Sequence, residues 1–505
     1  MSYDLVRKSM ETSTEEEFDR RAKSQAEYLK RQMDEAALDN RDHTIGLEVE
    51  VYAVETTGRL HRLLPDDFEI SDRVTKELGL HNAEINTRPD VLDGDGLDSQ
   101  LDQLTQLLET ANDHLSDDDA RLVLDSIWTI PPEEGSVAYL SEVEEYEDVT
   151  VAENMRENRR YYAIDNYYVD LVGSVEIDVP GVHRELPTIL SESLATSIQP
   201  HLQVPRASEL PAYYNTAIRT MAPVLALSTN SPYMPPDMYT EEITPRDTYH
   251  ELRIWVFEQS VNVPGDEKVK FPGDIDAPGE VVDRVLDDTT YSPFLREWIE
   301  DDESIGEENY TDGFWEFEFK RGTYWRWLRT VIGGEAISES NDERSIRIEY
   351  RPLPTQPTPR ENVGLLALVA GAVIGFVESD HPVRELPWER TRESFYSAAR
   401  DGLDGEINWV DETGESTSDV DVVYRELFEY ARDGLESSGL TRETVERFLE
   451  PLERRWRERL TPSEWKIQRV EREIEEGADF EDAVHEMQRD YLERCNGDDV
   501  VVDWR

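Results

Sequence analysis

The chain has little of what many functional motifs are built from. It holds one cysteine, Cys495, among 505 residues, which excludes an intrachain disulfide and a cysteine-based metal site. Lysine is scarce: of 52 basic residues, eight are Lys and 44 are Arg. The longest apolar run, Leu365–Val377, is 13 residues, short of the roughly 18 that suggest a membrane span, and it reads as a buried helix. Residues 1–17 are polar and acidic and show no signal-peptide pattern. The sequence has no Gly-rich phosphate loop, no HExxH zinc helix and no GxSxG elbow. A nucleotide enzyme built on this chain must therefore grip phosphate through metal ions and side chains.

What the chain has in excess is negative charge. Its net charge is −61, a surface that repels nucleic acid and anionic membranes. The charge is spread along the whole sequence. With 38% hydrophobic and 9% aromatic residues, the chain is not a disordered polyelectrolyte. The simplest account is a cytoplasmic protein of a salt-rich cell, where a Debye length of about 3 Å at molar salt screens self-repulsion. Arginine in place of lysine fits, because its guanidinium pairs with carboxylates through two prongs.

Residues 1–42 predict one amphipathic N-terminal helix ending near Asn40. A mixed α/β region follows over 43–384, with acidic, weakly periodic insertions near 135–160 and 235–320. Residues 385–505 read as a charged helical C-terminal extension. Two helix starts are explicit: Thr358-Pro359-Arg360-Glu361 and Thr461-Pro462-Ser463-Glu464, each with Thr as N-cap, Pro at N1 and Glu at N3. Gly477 is a plausible helix stop.

Four strand-like segments carry chemistry on one face. The first, His43–Val54, alternates, so Ile45, Leu47, Val49 and Val51 point one way and Gly46, Glu48, Glu50 and Tyr52 the other. Two carboxylates roughly 7 Å apart on one face need water, salt or a cation between them. Both a hard divalent metal and an acidic solvent face satisfy the pattern. The second segment places Glu84 and Asn86 together, the third His201 and Gln203, and the fourth Arg347, Glu349 and Arg351 opposite Ile346, Ile348 and Tyr350. A curved antiparallel sheet would gather these faces into a funnel. Carboxylates would hold cations there and arginines would hold phosphate oxygens. Solvated edges and cross-strand salt bridges account for each piece singly.

Taken in order, these motifs resemble the glutamate–cysteine ligase type 2 family, the carboxylate–amine ligases of the glutamine-synthetase-like superfamily. The resemblance rests on Gly46-Leu-Glu48-Val-Glu50, Glu84-Ile-Asn-Thr87, His201-Leu-Gln203-Val204, Ala226-Leu-Ser228-Thr-Asn-Ser231-Pro-Tyr233, Glu349-Tyr-Arg351 and Thr355-Gln-Pro-Thr358, and covers residues 43–380. It implies an α+β fold: a curved antiparallel sheet funnel backed by helices. It implies ATP and Mg²⁺ as cofactors, with Glu48, Glu50, Glu84 and Glu349 holding Mg²⁺. His201, Gln203 and Arg351 would contact the nucleotide. Arg351, Arg253 and His201 would carry catalysis, Arg351 and Arg253 at the γ-phosphate or the substrate carboxylate. The implied reaction joins glutamate to an amine, cysteine in the best-known members, through an acyl phosphate. The implied partners are small-molecule substrates, with no nucleic acid or membrane, and a homo-oligomer is compatible. Gln203 stands where many relatives have a second His, and Pro354 where some have Asp. The alternative reading is a non-catalytic relative that binds a nucleotide or amino acid, or an assembly subunit.

Overall fold

The alternation of residues 44–55 becomes the longest strand of a nine-stranded antiparallel sheet. The structure, a computed structural model, describes residues 3–68, 70–299, 310–338 and 341–504. The sheet's strands are β1 (Thr44–Glu55), β2 (Val74–Lys76), β3 (Asn82–Asn86), β4 (Asp90–Val91), β5 (Ala120–Val123), β6 (Ser197–Gln203), β7 (Leu328–Ile332), β8 (Ile346–Tyr350) and β9 (Leu353–Pro354). In space they run β7-β8-β6-β1-β3-β2, with β9 beside β6 and β4 and β5 beside β1. Chain neighbours are thus rarely sheet neighbours, and β1 sits near the middle.

The period of two decides which face is buried. Ile45, Leu47, Val49 and Val51 of β1 are 1% exposed or less and belong to the main core, as do Ile198 and Leu202 of β6 and Ile346, Ile348 and Tyr350 of β8. Helices Gly96–Leu115, Leu210–Ser228 and Pro359–Glu378 back this face. The last contains the apolar run, and it is buried inside the protein. Both helix starts form as the sequence predicts. Thr358 Oγ1 accepts from the Glu361 amide and Thr461 Oγ1 from the Glu464 amide, each at 3.2 Å. Gly477 ends the second helix at φ 107°.

The N-terminal expectation needs correcting. Two helices, Asp4–Ser9 and Thr12–Asp34, replace one. The break falls at Glu11, whose extended backbone (ψ 135°) lies just before the Thr-Ser-Thr run, residues that favour caps over helix interiors. No helix continues from Glu35 to Asn40. The stretches 135–160 and 235–320 hold regular structure as well: a small hairpin, Val143–Tyr146 with Val149–Ala152, and helices Arg253–Val261, Glu280–Asp287 and Trp315–Arg321.

The C-terminal helices are tied into the sheet-bearing part. Val420–Ser437 and Arg442–Glu458 pack on Pro359–Glu378. Residues of Pro462–Glu476 and Phe480–Arg494 join Tyr52 and Val54 of β1 and Val123 of β5 in a second apolar cluster. Two buried ion pairs cross this boundary. Arg455 meets Glu361 at 2.6 Å, and Lys466 meets Asp125 at 2.5 Å. Glu361 also accepts from the Val501 amide at 3.0 Å and from Thr358 Oγ1 at 2.9 Å. Removing one partner leaves the other as an uncompensated buried charge. Glu361→Gln is therefore expected to cost about 3–5 kcal/mol in denaturant unfolding, and a loss under about 1 kcal/mol would contradict this role.

Candidate active site

The polar face of the sheet carries the residues that alternation exposed, and the register aligns them in rows. Glu349 of β8 lies opposite His201 of β6, and His201 opposite Gly46 of β1. Glu48 lies between Gln199 of β6 and Asn86 of β3. Glu50 lies opposite Glu84. Two threonines fix the backbone of β1 behind these carboxylates. Thr87 Oγ1 accepts from the Leu47 amide, and Thr355 Oγ1 donates to the Glu50 carbonyl.

One end of this face is an acidic chamber of about 250 Å³. Glu50, Glu77 and Glu84 each offer it a carboxylate oxygen, and these atoms lie within 4.8 Å of one another. The backbone and neighbours orient them. Glu50 accepts from the Ser197 amide at 2.6 Å and from Gln199 Nε2 at 3.3 Å. Glu84 accepts from Asn86 Nδ2 at 2.8 Å. Glu192, from the 3-10 turn Ile189–Leu194, completes the acidic wall. Arg160, Arg329 and Arg351 also face the chamber.

The charges at this end are unbalanced. Desolvation pushes Glu84 up to about 8, and the charges of Glu48 and Glu50 push the same way. Glu192 rises to about 8 for the same first reason. Desolvation also lifts Glu77 well above its ordinary value and raises Glu50, against the pull of Arg351 on Glu50. The next row behaves oppositely. Burial works against the charged form of Glu349, but Arg329 and Arg351 overcome it and hold the carboxyl well below its ordinary range. Arg329 Nε lies 2.9 and 3.0 Å from the two Glu349 oxygens, and Arg351 donates to one of them. Burial likewise opposes the charged form of Glu48, and His201 overcomes it. His201 Nε2 lies 3.2 Å from Glu48. Arg347 Nε donates to His201 Nδ1 at 3.0 Å.

Glu48 is shared with a second compartment, also of about 250 Å³. Arg73, His201, Gln203 and Arg347 supply its polar wall. Gly46 leaves room at its floor, because a β-carbon there would meet only Pro89 Cα, at 3.9 Å. The structure thus brings Glu48, Glu50, Glu84, His201, Gln203, Glu349 and Arg351 onto one face. Arg253 stands apart from both linings. It is 2% exposed, donates to Glu251 at 3.1 Å and is tied to the Pro352 carbonyl.

Sequence reading missed Glu77, Glu192, Gln199 and Arg329. Gln199 carried a signal, since it precedes His201 by two in the same strand. Glu77 also follows Thr75 by two, beside a strand of three residues, too short for a periodicity to stand out.

The donor set fits a hard divalent cation. Three carboxylates converge in the chamber, desolvation opposes their ionisation, and each can supply oxygen.

A family model described as glutamate–cysteine ligase family 2 matches residues 44–495. The chain belongs to this family. No curated protein matches it. Among solved structures, this family member is similar to the glutamate–cysteine ligase of Francisella tularensis in complex with AMP, at 13% identity and TM-score 0.53, over 90% of this chain and 89% of that one. It is also similar to a bifunctional glutathione synthetase from Pasteurella multocida, at 14% identity and TM-score 0.52, over 92% of this chain and 54% of that one. The family member thus spans about half the length of the second protein. At these identities the likeness establishes the fold.

The raised carboxyls give a pH test. Glu84 and Glu192 titrate near 8 when folded and near 4.3 when unfolded. Between these values the folded state binds more protons, so stability rises as pH falls. From pH 8 to 6.5 the metal-free protein is expected to gain a few degrees in Tm. A divalent cation held by these carboxylates would favour their ionised form, so any stabilisation it gave would be larger at pH 8 than at pH 6.5. A Tm that falls over this interval in metal-free buffer would contradict the assignment.

Proposed function

We propose that the protein is an ATP- and Mg²⁺-dependent carboxylate–amine ligase that joins glutamate to an amine through an acyl phosphate. The observation that carries this reading is the convergence of Glu50, Glu77 and Glu84 in a chamber that shares Glu48 with an arginine-lined compartment. Family membership supports the ligase class, and the AMP bound to the Francisella tularensis enzyme supports a nucleotide.

In this reading the polyphosphate lies in the second compartment. Arg347 and Arg73 face its oxygens, and Gln203 and His201 flank it. The acid substrate lies in the chamber beside Arg351 and Arg329. Glu50, Glu77 and Glu84 would hold Mg²⁺, which when bound neutralises phosphate charge and aligns the reacting groups. Glu48, on the shared wall, marks where the two substrates meet. A substrate carboxylate oxygen attacks the γ-phosphorus and ADP leaves. The amine then attacks the acyl carbon, phosphate leaves, and the amine's proton passes to a base in the chamber. Glu192, raised to about 8, offers a carboxylate for that proton or for the incoming ammonium only once ionised. Arg329 and Arg351 hold Glu349 ionised, which keeps their own positions fixed. The substrates are small molecules, and the net charge of −61 counts against nucleic acid or anionic membranes as partners.

The test is ADP release in molar KCl, with glutamate and a panel of amines that includes cysteine. Glu77→Gln is expected to lower the rate on the order of 10²-fold, the scale for losing one preorganised charge-stabilising group. An unchanged rate, or no amine-dependent ADP release by the unsubstituted protein, would overturn the proposal.

A further inference from the structure

Arg73 and Glu335 face each other at the second compartment, and both line it. Arg73 immediately precedes β2, and Glu335 lies in the loop that leaves β7. They form a two-pronged pair: Nη1 to Oε1 at 2.6 Å and Nη2 to Oε2 at 2.9 Å. The third donor of Arg73, Nε, is buried without a partner. The same loop engages the compartment's other guanidinium, since Arg347 Nη1 donates to the Gly333 carbonyl. Gly334 sits so close that a β-carbon there would lie 2.6 Å from Arg347 Nη1. Residues 333–335 therefore place an oxygen on each arginine of the compartment.

A carboxylate held in this fork offers a guanidinium the same paired oxygens as a phosphate. The Glu335 side chain is 50% exposed and that of Arg73 20%, so water screens the pair, and the entropy cost of ordering two long side chains offsets part of the two-pronged contact. What the pair does is occupy Arg73. Polyphosphate entering the compartment meets an arginine already covered by a half-exposed carboxylate.

We propose that Glu335 is an internal stand-in for phosphate. Its carboxylate covers Arg73 in the nucleotide-free protein, and the nucleotide's phosphate displaces it. Arg73 is then a phosphate-binding residue and Glu335 an affinity-lowering plug. This inference rests on the reading that nucleotide occupies the second compartment.

The two partners of a purely structural ion pair behave alike when either is removed. A residue and its competitor behave oppositely, and that difference is the test. Mg-ATP affinity is measured by calorimetry in molar KCl for the unsubstituted protein, Glu335→Gln, Arg73→Gln and Arg73→Lys, with the Tm of each recorded without ligand. Glu335→Gln is expected to bind Mg-ATP several-fold more tightly. Arg73→Gln is expected to bind about tenfold more weakly, the scale for one charge-assisted bond, with Arg73→Lys between it and the unsubstituted protein. Shifts of the same sign in Glu335→Gln and Arg73→Gln, or no shift in either, overturn this inference alone. Absence of Mg-ATP binding by the unsubstituted protein overturns the nucleotide reading, and this inference with it.

Discussion

Repulsion among like charges is the constraint around which the polar face is organised. Glu48, Glu50, Glu77 and Glu84 crowd one end of a sheet, and each carboxylate raises the cost of ionising its neighbours. The fold answers this in two ways. Along the row of Glu349 it supplies Arg329, Arg351 and Arg321, with the last at 3.5 Å. Beside Glu48 it supplies His201. At Glu77 and Glu84 it supplies little, and their carboxyls rise. The protein balances Glu48 and Glu349 and leaves Glu77 and Glu84 with little opposing charge, the charge a cation would balance in the proposed function.

Holding unbalanced charge in place takes a rigid frame. The frame is β1, whose apolar residues are locked into the core while Thr87 and Thr355 pin its backbone. The C-terminal helices extend that frame. They pack on the far end of β1 through Tyr52 and Val54. They are joined to the sheet-bearing part by the Arg455–Glu361 and Lys466–Asp125 pairs. Breaking either pair would strand a buried charge, so these contacts penalise separation of the two parts. Tyr52 shows how the frame and the face divide one strand. It follows Glu50 by two, yet it leaves the polar row, and its hydroxyl donates to the Leu194 carbonyl inside the protein, with the Ser126 carbonyl 3.0 Å away.

Much of this was legible in the sequence, and the reason is period. Glu48, Glu50, His201, Gln203 and Glu349 lie on strands of five residues or more, where alternation shows, and Arg351 follows the last of these strands directly. Glu84 lies on such a strand too. Glu77 and Glu192 come from a loop and a 3-10 turn, which have no such signature, and only the folded chain brings them beside Glu50. Arg253 shows the converse. Its residue type suited phosphate, but burial beside Glu251 commits it to the fold. At Glu11 the backbone turns extended, where seven polar residues, 11–17, interrupt the apolar spacing of the N-terminal helices.

The claim at the centre of this account is that the acidic chamber is a divalent-cation site. The most direct test is a Mn²⁺ titration followed by electron paramagnetic resonance in molar KCl, comparing the unsubstituted protein with Glu77→Gln. The account predicts saturable Mn²⁺ binding that weakens sharply or is lost in the variant, with the fold intact. Equal stoichiometry and affinity in the two proteins would contradict it.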